Sequence, residues 1–165
     1  MNIRRIIAID PDQEQSGVCL LNLETKTVDV FKMAFPDLIE LLRNESEDQF
    51  ARAEVGVIIE GGWLNEKSNW HGGRSIGIAS RIGKNVGANH QTGRLIAEMA
   101  KRYKMNYRVV APLRKCWRGT NGKITKEELD ALMMRNNIPP ILTRTNQDQR
   151  DAILLALFHS NMIRK

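Results

Sequence analysis

Cysteine is scarce in this chain. Only Cys19 and Cys116 occur, too few for a disulfide framework or a four-cysteine zinc site, and a reducing compartment is the simpler reading. The three histidines stand apart from both cysteines, which argues against zinc. No apolar run approaches the roughly 20 residues of a membrane span. The short run behind Arg4-Arg5 stops at Asp10, far short of a signal-peptide core. A soluble, cytoplasmic protein with no membrane partner is therefore expected. Walker A spacing is missing, so a nucleotide cofactor has no support, and Gly61-Gly62 and Gly72-Gly73 do not make a dinucleotide fingerprint. There is no internal repeat, low-complexity tract or linker.

What remains is an ordinary globular composition, 42% hydrophobic and 27% charged over 165 residues. That length suits one domain, residues 1–165, with a core of its own. The net charge of +6 is unevenly spread. Residues 1–60 carry 6 Lys/Arg against 12 Asp/Glu, a balance of −6, and residues 61–165 carry 19 against 7, a balance of +12. From Arg74 to Lys126 there are 13 basic residues and a single acid, Glu98. Such a concentration points to a polyanion, most often nucleic acid, although charge alone fits a solvated basic surface equally well.

The hydrophobic pattern predicts strands over Ile3–Asp10, Gly17–Leu23, Thr27–Met33, Val55–Glu60 and Tyr107–Ala111. Helices are expected from Pro36 to about Arg43 or beyond, from Asn89 to Lys104, and briefly after Pro112. Two more are expected from the Thr125 cap to about Arg135, with Glu128 completing a capping box, and from a cap at Asn146 or Thr145 to about Met162. Gly61 to Ala88 is glycine-rich and carries no clear periodicity. Three strands joined by tight turns read as an antiparallel meander, and strands separated by helices as parallel additions. The class is a mixed α/β sheet covered by helices.

Four carboxylates stand out within that order. Asp10 ends the first strand and Glu60 the fourth, where a buried strand meets solvent. Asp148 and Asp151, spaced i, i+3, share one face of the last helix's first turn. Singly, each has a structural reading: Asp-Pro opens turns, Glu60 ends a strand, and acids suit a helix start. Together they would repel unless a cation neutralised them, and hard oxygen donors suit Mg²⁺ or Mn²⁺. Two such ions about 3.5–4 Å apart can activate water for phosphodiester hydrolysis.

These residues resemble the RuvC family of crossover-junction endonucleases, of ribonuclease H-like fold. Ile6–Pro11 followed by Ser16-Gly17-Val18 is similar to the family's opening strand and Asp-Pro. Val57–Glu60 is similar to its strand ending in a catalytic Glu, and Gln147–Ala152 to its closing motif. The resemblance covers nearly the whole chain. It implies a five-stranded mixed sheet in order 3-2-1-4-5 with helices on both faces. It also implies Asp10, Glu60, Asp148 and Asp151 as catalytic residues holding two Mg²⁺ ions, with Mn²⁺ able to substitute. The implied function is metal-dependent resolution of four-way (Holliday) DNA junctions, by a homodimer acting on branched double-stranded DNA. Trp63 falls where the family carries an aromatic that stacks on bases, and Lys126 where it places a DNA-facing lysine. The chain departs from the pattern at Asp12, where the family usually has Gly. It departs again in the two-tryptophan segment 61–88 and at Lys115, one position off the expected lysine.

Arg74, Arg81, Lys84, Arg94, Lys115, Arg118, Lys123 and Lys126 are the candidate DNA-binding cations, each with a solvated-surface alternative. Trp63 is read as stacking on bases or closing the loop, Trp70 carries no assignment, and Trp117 is read as packing. His71 and His90 are placed within reach of DNA and His159 in the structure of the last helix. Two other functions compete: a ribonuclease H-fold nuclease acting on RNA or RNA–DNA hybrids, and a non-catalytic module that binds branched DNA. A sugar-kinase or actin-like ATPase of related topology is a distant fourth reading, since 165 residues do not hold two lobes.

Overall fold

A computed structural model describes residues 3–65 and 76–162, without the side chains of residues 76–79 and 81–82. Its centre is a five-stranded sheet formed by β1 (Arg5–Asp10), β2 (Ser16–Asn22), β3 (Thr27–Met33), β4 (Val55–Glu60) and β5 (Asn106–Val110). The order is β3-β2-β1-β4-β5. β1 pairs antiparallel with β2 and parallel with β4, β2 pairs antiparallel with β3, and β4 parallel with β5. The strand order and the antiparallel meander are those expected from the sequence.

Side chains alternate across β1. Ile6 and Ala8 face one way, into a core with Cys19, Leu21, Ile58, Leu129, Met133 and residues 153–157. Ile7 and Ile9 face the other, with Val18, Leu38, Leu42, Val57, Ile59 and Ile96. Both faces are covered, so β1 and β4 read as continuous apolar runs rather than alternating ones.

The first core is closed by α4 (Lys126–Arg135) and α5 (Gln147–His159), the second by α1 (Phe35–Glu47) and α3 (Ile76–Arg102). α1 has Pro36 in its first turn and buries Leu38 and Leu42, one turn apart. A short α2 (Gln49–Ala53) follows, capped by Asp48, whose carboxylate accepts from the amides of Phe50 (2.8 Å) and Ala51 (3.3 Å). The Thr125–Glu128 capping box starts α4 as expected, and Asn146 with Gln149 makes another at α5.

α1 runs beyond Arg43 to Glu47. Two local expectations differ. α3 begins at Ile76, within the segment that showed no periodicity, because tertiary packing of its later turns outweighs the helix cost of Gly77, Gly83 and Gly87. Pro112 opens no helix: residues 111–116 are irregular, and the next regular turn is a single 3₁₀ turn at Thr120–Gly122.

Candidate active site

The carboxylates of interest gather at the end of the sheet where β1 and β4 finish. Ile9 and Ile59 are register partners on these parallel strands, so Asp10 and Glu60 leave the sheet side by side. The head of α5 comes to the same place. Gly17, opposite Asp10 on β2, allows this: a Cβ there would collide with the Asp148 backbone carbonyl. Asp148 and Asp151 are carried on that first turn of α5.

The four acids feel one another. Burial is the main cause holding the Asp10 carboxyl well above its usual range, and the charges of Glu60, Asp151 and Asp148 add to it. Glu60 is pushed up to about 7, first by burial and then by Asp151. Asp151 is raised too, again chiefly by burial. Lys123 opposes the rise at all three, and Lys115 opposes it at Glu60 and Asp151.

Those lysines are brought in by a tight loop. The Trp117 amide donates to the Gly122 carbonyl (3.0 Å) and the Gly119 amide to the Lys123 carbonyl (2.9 Å). Asn121 and Gly122 both adopt positive φ, at 57° and 71°. Gly122 lies against the Lys115 backbone, and a Cβ there would approach its carbonyl oxygen to 3.0 Å. The Arg150 guanidinium locks this loop to α5. It donates to the carbonyls of Ile124 (3.2 Å) and Thr145 (2.7 Å) and to Gln147 Oε1 (2.9 Å). Gln147 Nε2 in turn donates to Asp151 Oδ1 at 2.7 Å, and Asn146 Nδ2 donates to Asp148 Oδ2 at 3.2 Å.

A cleft of about 1100 Å³ opens over Asp10 and Glu60. One wall is basic, with Arg114, Lys115 and Lys123. The other is formed by Leu64, Asn65, Asn89 and His90. Asn89 carried no functional signal in the sequence, because only the tertiary approach of α3 brings it to this cleft, whereas Asn65 ends the 3₁₀ turn that follows Glu60. Burial, and then the nearby Arg94, keep the His90 imidazole below its ordinary pKa.

Trp63 is half-buried against α3. Its ring meets His90 edge-on at 6.0 Å, and the Arg94 guanidinium lies 5.2 Å from its centroid. A Cβ on Gly93 would come within 2.7 Å of the indole, so that glycine is what lets the ring lie on the helix. Lys126 is likewise engaged within the protein: its ammonium pairs with Asp130 (2.7 Å) and donates to the Ile141 carbonyl (2.7 Å). Lys84, Arg94 and Arg118 are exposed, and the Arg118 backbone amide donates to the Glu128 carboxylate. Trp117 packs against the core. Arg74, Trp70 and His71, and the side chain of Arg81, lie outside the described residues.

The donor set suits a hard divalent cation, being all carboxylate oxygen with like-charge repulsion to relieve. Among the described residues no three acids, histidines or cysteines stand together in ligating geometry. Asp148 and Asp151 are instead turned onto their own helix neighbours.

Solved structures resemble this chain, two of them described as RuvC. One, described as "T. thermophilus RuvC in complex with Holliday junction substrate", is 16% identical, with 95% of this chain and 93% of that chain covered and a TM-score of 0.48. The other, "Thermus thermophilus RuvC structure", is 18% identical over 94% of this chain and 93% of that one, with a TM-score of 0.47. No family model matches the chain, and no curated protein matches it. Both likenesses are of fold; the case for a function lies in this chain's own carboxylates and lysines.

Proposed function

We propose that this protein is a divalent-metal-dependent endonuclease that resolves four-way DNA junctions. The observation that carries the reading is the convergence of Asp10, Glu60, Asp148 and Asp151 at one sheet end, under a cleft with a basic wall. Charges of one sign held this close and partly buried destabilise the fold on their own, so they fit a site completed by cations. Asp10, Glu60, Asp148 and Asp151 would hold two Mg²⁺ ions, with Mn²⁺ able to replace them. When bound, the ions supply the Lewis acidity that phosphodiester hydrolysis needs.

The chain's own groups do the rest. Lys115 and Lys123 draw a phosphate to the acids and offset the field that would repel it. Arg114 extends that wall. The exposed Lys84, Arg94 and Arg118 contact backbone further out, so binding falls steeply with salt. Gln147 holds Asp151 and is itself held by Arg150, which fixes one carboxylate while the loop bearing Lys123 is fixed by the same arginine. Trp63 stacks on a base only after Arg94 gives up its face. Hydrolysis would leave a 5′-phosphate and a 3′-hydroxyl. A homodimer would supply two such sites, one for each strand cut.

The test is a panel of labelled immobile four-way junction, matched duplex, RNA–DNA hybrid and RNA, with Mg²⁺ or Mn²⁺, beside Asp10→Asn. Paired symmetric nicks in the junction alone, lost in the variant, are expected. Cleavage confined to hybrid or RNA would reassign the substrate. Metal-independent junction binding with no cleavage of any substrate would make the protein a binding module.

A further inference from the structure

Asp12 is one of the positions at which this chain departs from the RuvC pattern, and it is not idle. Its backbone amide donates to Ser16 Oγ (3.2 Å), and Ser16 is buried. Its Oδ1 accepts from the amides of Glu14 (2.9 Å) and Gln15 (3.4 Å), an Asx turn that shapes the β1–β2 loop. Its Oδ2 accepts from Asn89 Nδ2 at 3.1 Å, across 77 positions of sequence. The bond is returned: Asn89 Oδ1 accepts the Gln13 amide at 2.9 Å. Both Asp12 oxygens and both ends of the Asn89 amide are thus engaged.

The tie has a neighbour that shows its purpose. One turn along α3, a Cβ on Gly93 would approach Pro11 Cγ to 3.2 Å, so the helix lies directly on the residue after Asp10. Asn89 and His90 also line the cleft that Asp10 floors. The loop that leaves Asp10 and the helix that walls the cleft are therefore one unit, joined by packing between Pro11 and Gly93 and by the hydrogen bonds that Asn89 makes with Asp12 and with the Gln13 amide. Towards the N-terminus of α3 from Asn89, Gly87 and Gly83 have open space around them and weaken the helix by about 1 kcal/mol each relative to Ala. A fixed point at Asn89 is what such a helix needs in order to present a wall.

We propose that Asp12 and Asn89 are a reciprocal positioning pair that sets the gap between the Asp10 strand end and the α3 wall, and so the opening through which the substrate backbone reaches the carboxylates. This rests on the nuclease reading above. Asp12 acts through the loop, as a positioning residue and not as a metal ligand.

A charge-swap cycle tests it. N89D sets a second carboxylate against Asp12 and breaks the tie. D12N alone loses one of the two bonds. D12N/N89D restores both with the donor between loop and helix reversed. The new amide at position 12 can donate to the new carboxylate at position 89, whose other oxygen still accepts the Gln13 amide. Two readouts are used: hydrogen exchange of the residue 12–16 amides in metal-free protein, and single-turnover and steady-state cleavage of a four-way junction with Mn²⁺. N89D is expected to speed exchange about tenfold or more. It should lower kcat about tenfold or more with KM within about twofold, since small misplacements of reacting groups cost on this scale. The double variant should return both to within about threefold of the parent. The milder N89A should fall between if N89D fails to fold.

A double variant as inactive as D12N alone, with exchange restored, would make Asp12 a ligand and overturn the proposal. So would an N89D or N89A protein with parental exchange and kcat. If the parent cuts no nucleic acid, the exchange cycle still decides the tie, and it is the nuclease reading that fails.

Discussion

The two ends of strand β1 handle charge in opposite ways. At its start, Arg4 lies 3.3 Å from both Glu24 and Glu54, and the Arg5 guanidinium makes two bonds to Glu45, at 3.1 and 2.7 Å. Both arginines there meet acids. At its finish, Asp10 meets Glu60, Asp148 and Asp151; Lys123 pulls the other way on Asp10, and Lys115 and Lys123 do so on Glu60 and Asp151, the latter eased first by its bond from Gln147. One end lowers the energy of the fold and the other raises it, with only the buried residues 6–9 between them. Local consistency is the rule in natural sequences, and the place where it fails is where a ligand site is expected.

The largest effect should come from removing the conflict itself. Asp10→Asn is expected to lower junction cleavage by roughly 10³-fold or more, the scale seen when one member of a cooperating set is lost. It should leave junction binding intact or tighter and raise metal-free stability by about 0.5–2 kcal/mol. Nicking assays, gel shifts and urea melts on the same preparation would show whether activity and stability move in opposite directions.

pH and metal probe the same contrast without mutation. The Glu60 carboxyl is raised in the folded state from its ordinary 4.5 to about 7, so between those values the native protein holds more protons than the unfolded chain. Stability of the metal-free protein should therefore be greatest below about 4.5 on this account and decline as pH rises through about 7. The raised carboxyls of Asp10 and Asp151 act in the same direction. Mg²⁺ or Mn²⁺ should raise the melting midpoint more at about pH 7.5 than at about pH 5, and EDTA should reverse the gain. A midpoint that rises with pH from about 5 to about 7 in EDTA would contradict the account.

Much of this was legible because β1 and β4 announce themselves. A short Ile/Val run ending on an acid needs no tertiary knowledge, and the meander follows from alternation and tight turns. The head of α5 was legible through its cap and the i, i+3 acids. What escaped depends on distant contacts. α3 begins 13 residues before the predicted Asn89 start, since Gly83 and Gly87 carry a loop's local signal and only packing of later turns offsets their cost. The resting place of Trp63 is set by Gly93, thirty residues on, where a missing side chain leaves no mark in a periodicity search. Asn89 is one polar residue among many until Asp12 is placed beside it. Lys126 is different: Asp130 follows it by four, a helical ion pair that could have been read directly.

The basic wall offers the next test. Lys123→Ala should reduce cleavage about 10–100-fold, as loss of groups that support a metal site does, and should push the Glu60 carboxyl higher by removing a charge that opposes the rise. Lys126 is close by in sequence but tied to Asp130 and Ile141. Lys126→Ala should instead cost about 1 kcal/mol of stability and change cleavage within about twofold. Cleavage and melting curves of the two variants would separate a lysine that serves the site from one that serves the fold.

The smallest effect belongs to the paired end of β1. Arg5 is partly exposed at 42%, while Glu45 is 18% exposed, so solvent screens the pair only from one side. Arg5→Ala should destabilise by about 1 kcal/mol, at the upper end of what a half-exposed pair contributes, because Glu45 is left partly buried without its partner. Arg5→Ala with Glu45→Ala should cost little more than Arg5→Ala alone, since the second change removes an acid already stranded. Neither protein should lose cleavage beyond about twofold. A double-mutant cycle in urea reads the coupling, and junction nicking reads the site. If breaking this bridge cut activity as deeply as Lys123→Ala, the two ends of the strand would not be separable, and the acids at its finish would owe their placement to charges at its start.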